Sequence, residues 1–235
     1  MEHISKKVPK DILDVFTKKI HQHAEEHILD KALKTGDVAT DLDFDLLDAH
    51  GNHVKSSELL AKGPIVVTFV RGSWCAFCNM QVHALQNVIN DIQSKNATLV
   101  VISPQSTQSS MKMVEQGAMF PLLTDVDSKL AKQFNVHYQV DPELHDAFLN
   151  VGIDLAQVNQ DGLLSLPVPA TFVISQEKKI LYSFLDVNYR HRAEPADILN
   201  ALPEPVTRTG RRRVYRKRVK QITMLKLDWG DGAAT

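Results

Sequence analysis

The chain of 235 residues has two cysteines, Cys75 and Cys78, three positions apart in RGSWCAFCNM. A pair at that spacing can ligate a metal, close a structural disulfide or exchange electrons. Zinc asks for four ligands; beyond the pair there is only His83 nearby, with no other histidine close in sequence. A disulfide across so short a loop removes little chain entropy and makes a poor staple. Zinc ligation and a chance pair of inert core cysteines are the lesser readings, and redox chemistry is favoured. If a helix begins at the pair, Cys75 sits at its N-terminus, where unpaired N–H groups and the positive end of the dipole favour a thiolate. Cys78 lies one turn on along the same face, within reach of a disulfide. Helix-end electrostatics therefore selects Cys75 as the attacking sulfur, with Cys78 resolving. Arg71 is a candidate cation able to lower a nearby thiol pKa, and Trp74 either shields the sulfurs or packs.

The pair needs a strand before it and a helix after it. PIVVTFV reads as a buried strand, continuous and β-branched, bounded by Gly63-Pro64 and Arg71-Gly72. Phe77, Val82, Leu85, Val88, Ile89 and Ile92 then give one long amphipathic helix. ATLVVISP is a second buried strand, STQSSMKMVEQG a helix, FPLLTD a short strand and SKLAKQFN a short helix. Residues 137–166 read as an insertion, helical near ELHDAFLNVG. VPATFVIS and KKILYSFLDV form two strands about a Gln-Glu-Lys turn, and Pro195 opens a final helix. Upstream, residues 9–33 suggest a helix capped by Gly36, His50-Gly51-Asn52 a hairpin turn, and Ser56 or Ser57 a cap for a short helix. This order is that of a thioredoxin-like α/β fold, a central mixed β-sheet flanked by helices. Residues 1–34 form an N-terminal helical extension, 35–202 the thioredoxin-like domain and 203–235 a basic C-terminal tail.

Hydrophobic residues make up 43% and charged residues 23%, the balance of a soluble globular protein. No apolar run approaches the roughly 20 residues of a membrane span, and the N-terminus lacks a signal-peptide core, so a cytoplasmic location is expected. The net charge of −1 hides an asymmetry: residues 207–235 carry nine Lys and Arg against two Asp, a balance of +7, which leaves −8 on the rest. That tail could engage nucleic acid, an anionic membrane or an acidic protein, but a basic cluster carries no specificity by itself. Solvation, or docking on the chain's own acidic body, is the expectation. Thr223, Leu225, Leu227 and Trp229 alternate like a strand, which leaves homo-oligomerisation open. His21, His23 and His27 suggest a polar helix face before a metal site. Ser103-Pro104 and Asp125 fall at strand ends and turns on the carboxyl edge of the sheet.

FVRGSWCAFCNMQVHALQ, followed some distance on by LPVPATFVIS, resembles the peroxiredoxin-like branch of the alkyl hydroperoxide reductase / thiol-specific antioxidant family from about Thr35 to Leu202. The resemblance implies a thiol peroxidase: a thiolate attacks a hydroperoxide, becomes a sulfenic acid and condenses with a second thiol. It further implies an external thiol reductant, thioredoxin-like or of low molecular weight, and neither organic cofactor nor metal. On the family's Pro-x-x-x-Thr-x-x-Cys pattern Cys78 is the peroxidatic residue. Cys75 then stands in place of threonine, Arg71 in place of proline and Gln81 in place of a frequent glutamate. Pro169 falls near the family's arginine position, where thioredoxins instead have a proline, usually cis, against the CxxC. The site would thus lack a hydroxyl and a guanidinium that offset charge on the peroxide. Alternatives are a dithiol–disulfide oxidoreductase and a redox-sensing interaction protein using the basic tail.

Overall fold

A computed structural model describes residues 9–186 and 188–205, so the basic tail and the strand expected around Trp229 lie outside the described residues. The N-terminal elements are α1 (Lys10–His27), β1 (Asp45–Leu47), β2 (His53–Lys55) and α2 (Ser56–Lys62). The centre holds β3 (Ile65–Phe69), α3 (Ala76–Gln86), α4 (Ile89–Ser94), β4 (Thr98–Ser103), α5 (Thr107–Glu115), β5 (Leu122–Thr124) and α6 (Lys129–Gln133). Next come β6 (His137–Gln139), α7 (Pro142–Asn150), α8 (Leu155–Val158) and β7 (Ser165–Pro167), and last β8 (Ala170–Ile174), β9 (Ile180–Leu185) and α9 (Pro195–Ala201).

Five strands form a mixed sheet in the order β5-β4-β3-β8-β9. β4 runs parallel to both β3 and β5, while β8 runs antiparallel to β3 and β9. The two-residue period of β3 divides the core into two layers. Ile65, Val67 and Phe69 face a layer with Val100, Ile102, Phe172 and Ile174. Val66 and Val70 face the other, with Leu99, Val101, Val173 and both cysteines. This is the thioredoxin-like architecture expected from the order of elements. The insertion closes on itself through an antiparallel β6–β7 ladder that pairs His137 with Pro167.

The apolar stripe of α1 (Phe16, Ile20, Ala24) is buried in the first layer, with the Phe16 ring 4.8 Å from that of Phe148 on α7. Because Ile20 has no exposed surface, Ile20→Ala is expected to destabilise the fold by about 2–5 kcal/mol in urea unfolding. A loss below about 1 kcal/mol would mean that α1 is peripheral to the core.

Three elements differ from their sequence expectation. α1 ends at His27, and Gly36 instead turns the chain at φ +104, its N–H donating to the Ile180 carbonyl at 2.9 Å. Ser56 does not cap α2, because its Oγ accepts from the Phe44 amide at 3.0 Å. The long helix after Cys75 breaks into α3 and α4 at Asn87-Val88, two weak helix formers; the Val88 amide bonds back only to Leu85. The hairpin forms as expected, with Gly51 at φ +82 and Asp48 Oδ1 accepting from the His50 and Asn52 amides at 2.8 Å each. Among the described residues no helix is long and apolar enough to cross a membrane.

Candidate active site

Past β3, the Val70 amide makes one more bond, to Ile102, and the chain then turns toward α3. Gly72 sits at φ +148, and a Cβ there would stand 2.6 Å from Trp74 Nε1, so glycine is what lets the turn close. Side chains clamp the loop from two sides. The Ser73 amide donates to Gln105 Oε1 at 2.8 Å, and Asn79 Nδ2 donates to the Ser73 carbonyl at 2.8 Å. Buried Gln105 is held in turn by Ser110 Oγ at 3.1 Å. Cys75 is the N-cap residue of α3, its carbonyl accepting from the Cys78 and Asn79 amides at 3.0 Å each.

The two cysteines stand 3.1 Å apart, near enough for one thiol to hydrogen-bond the other. Cys75 is 4% exposed and Cys78 is 0% exposed. Arg71 serves both: its backbone N–H donates to Cys78 Sγ at 3.4 Å and its Nη2 to Cys75 Sγ at 3.0 Å. Arg192, from the loop before α9, brings Nη2 to 3.7 Å from Cys78 Sγ. The Arg71 guanidinium packs on the Trp74 ring at 5.3 Å and the Tyr189 ring at 4.5 Å. Trp74 rests edge-on against Phe148 at 5.3 Å, and Phe77 against Tyr189 at 5.8 Å. Gln81 Nε2 donates to the Ala193 carbonyl at 3.3 Å, fastening the Arg192 loop to α3.

These contacts split the two thiols. Burial pushes the Cys75 pKa up, and its hydrogen bond to Cys78 adds to the rise, so it keeps its proton despite Arg71. Burial also opposes a charge on Cys78. There it is outweighed by the hydrogen bond from Cys75, the Arg192 and Arg71 guanidinium groups and the Arg71 amide, which hold the thiol well below its ordinary range. Burial works against the charge on Arg71 as well, but the facing sulfurs keep it fully protonated. These contacts favour Cys78 over Cys75 as the thiolate, whereas the helix-end expectation rests on the dipole alone. As N-cap the Cys75 side chain accepts no helix amide, while Cys78 collects an amide, a thiol and two cations.

Arg71, Trp74, Cys75 and Cys78 come together as the sequence suggested, and Pro169 falls at the same end of the sheet. The register sets Ala170 opposite Phe69, so buried Pro169 lies where the chain leaves β3 for the CxxC. Its peptide bond is trans, since the described residues include no cis peptide. The guanidinium expected to be missing near Pro169 is also supplied elsewhere, by Arg192 and Arg71. Arg192 was not legible: NYRHRAEP offers two arginines, Arg190 and Arg192, and no spacing links either to a sulfur. Tyr138 of β6 was missed too. It is buried near Arg71, and burial pushes its phenol up to about 12, so it remains neutral.

Other candidates have local duties. Asp125 caps α6, accepting from the Leu130 and Ala131 amides at 2.8 and 2.9 Å, while burial pushes its carboxyl up to about 6. Ser103 Oγ accepts from the Gln105 amide at 3.2 Å. His21 approaches Glu25 at 3.7 Å, and His23 stacks on Tyr138 at 5.3 Å; the side chain of His27 lies outside the described residues.

Residues 35–183 match the model of the AhpC/TSA family. The Mycobacterium tuberculosis protein named "Putative peroxiredoxin Rv1608c" is 28% identical over 153 residues, covering 63% of this chain and 83% of its own. Among solved structures, the peroxidoxin BcpB of Mycobacterium tuberculosis superposes with a TM-score of 0.58 at 24% identity, over 72% of this chain and 96% of that one. PrxQ of Xylella fastidiosa gives 0.55 at 17% identity, over 72% and 93%. The structural likenesses bear on the fold, and the family match spans the whole loop, helix and sulfur pair built up above. On that match the chain belongs to the AhpC/TSA family and is a peroxiredoxin-like thiol peroxidase.

Proposed function

We propose that this enzyme reduces hydroperoxides through Cys78, with Cys75 as the resolving thiol and an external thiol as the reductant. The observation that carries the reading is the relay Arg71 Nη2 to Cys75 to Cys78, with Arg192 on the far sulfur. The Cys78 thiolate attacks one peroxide oxygen and the O–O bond breaks. The departing alkoxide takes a proton from solvent to leave as an alcohol, and Cys78 becomes a sulfenic acid. Cys75 then gives up its proton, attacks the Cys78 sulfur and expels hydroxide, which that proton converts to water. The products are one alcohol, one water and the Cys75–Cys78 disulfide. From 3.1 Å to the bonded distance of about 2.05 Å is a short travel.

Arg192 and Arg71 offset charge developing on the leaving oxygen, taking over the duty of the family's hydroxyl and guanidinium. Trp74 holds the Arg71 plane, and Pro169 bounds the site without an N–H of its own to satisfy.

One equivalent of hydrogen peroxide is expected to consume both thiols of the reduced protein and leave the Cys75–Cys78 disulfide, read by thiol titration and mass spectrometry. Thiols that persist in peroxide but are lost to added disulfides would replace this reading with thiol–disulfide exchange.

A further inference from the structure

We propose that the oxidised site is a receptor for a carboxylate, and that the reductant is accordingly a small acidic thiol. The inference rests on the Cys75–Cys78 disulfide of the reading above. Arg71 is 4% exposed, and among the described residues neither Arg71 nor Arg192 has a carboxylate within ion-pair reach. The Nε atoms of both arginines are buried without a hydrogen-bond partner. Asp186, near in sequence, is engaged by His191 at 2.9 Å. Among the described residues it is thus the sulfur pair that faces the two guanidinium groups in the reduced protein, Arg71 Nη2 on Cys75 Sγ and Arg192 Nη2 on Cys78 Sγ, with Cys78 carrying the charge.

Disulfide formation removes that charge and leaves the cations in place. A buried charge stripped of its partner is strongly disfavoured, so the oxidised site gains affinity for an anion. Arg190, exposed beside Tyr189 with its guanidinium 5.6 Å from the ring, extends the positive rim outward. A thiol that carries a carboxylate satisfies the site and brings its own nucleophile to the sulfurs.

Reduction then clears the site. The first thiolate attacks Cys75, the more exposed sulfur, forming a mixed disulfide and releasing Cys78 as thiolate, the better leaving group. A second thiolate attacks the outer sulfur of the mixed disulfide and frees Cys75. Two thiols thus give up two electrons and two protons; one proton stays on Cys75 and one goes to solvent. With the Cys78 charge restored, the carboxylate loses its attraction and the product disulfide departs.

The test uses full-length protein oxidised with diamide, so its outcome does not depend on reactivity toward peroxide. Reduction is timed with 3-mercaptopropionate, 2-mercaptoethanol and cysteamine, each rate corrected for thiolate fraction and basicity. The anionic thiol is expected to lead the cationic one by at least about tenfold. Arg192→Gln should shrink that ratio to about twofold, and Arg192→Lys should preserve it. Equal corrected rates in the parent, or a charge order that survives Arg192→Gln, overturns the proposal. So does reduction by a thioredoxin far ahead of all three when they show no charge order. A chain whose thiols ignore peroxide, yet whose diamide-made disulfide shows the order, loses the peroxidase reading and keeps this one.

Discussion

Cys78→Ser is expected to lower the rate of oxidation by hydroperoxide at least about a thousandfold, because it removes the nucleophile itself. What remains is Cys75, whose thiol is held protonated by burial. Cys75→Ser should behave in the opposite sense. A serine hydroxyl at this position can still accept from Arg71 and still donate to the Cys78 sulfur, so the thiolate keeps its support. Its first reaction with peroxide should match the parent, and the product should stop at sulfenic acid, since the chain has no third cysteine to resolve it. Excess peroxide then drives Cys78 to sulfinic and sulfonic acid. Mass spectrometry after one and after many equivalents of peroxide separates these outcomes. Sulfenic acid on Cys75 in the Cys78→Ser protein, formed at the parent's rate, would return the attack to Cys75.

That assignment shows where the sequence was legible and where it was not. The layered sheet could be read because PIVVTFV and ATLVVISP are continuous β-branched runs, and such runs have few ways to be buried. The CxxC at a strand-to-helix turn could be read for the same reason: its spacing and its place in the order of elements are local facts. Which sulfur ionises is not a local fact. Helix-end electrostatics singles out Cys75 because it counts the dipole alone, whereas Cys78 is supported by Cys75, by Arg71 and also by Arg192, 114 positions away in sequence. Long-range contact also decides Gln105, which lies 32 residues beyond Ser73 yet holds its amide. The split of the long helix at Asn87-Val88 is a smaller case. Apolar spacing runs through the break, and only a weak local propensity marks it.

Arg71 is where the electrostatic account can be separated from a packing role. Arg71→Met keeps much of the side-chain volume and its contacts with Trp74 and Tyr189, but removes the guanidinium that supports Cys75 and faces Cys78. The backbone donor to Cys78 survives. Because the thiolate is the reactive form, peroxide oxidation at pH 7 is expected to slow on the order of 10- to 100-fold. The direction with pH follows from the same cause. In the parent the Cys78 thiol is held well below its ordinary range, so its rate is expected to change little as pH rises above neutral. In the variant a larger share of Cys78 is protonated at pH 7, and raising the pH restores thiolate until the pH lies well above the variant's thiol pKa, where the rate levels off. Stability should not follow the rate downward. A buried cation costs solvation, and when it goes Cys78 can relax to a neutral thiol, leaving beside it the partly exposed Arg192, which can be solvated. The reduced variant is therefore expected to melt at or above the parent's temperature while reacting more slowly. Scanning calorimetry beside a stopped-flow pH series from 5 to 10 reads both quantities. A variant that melts far below the parent, with an unchanged pH profile, would make Arg71 a structural residue and remove it from the chemistry.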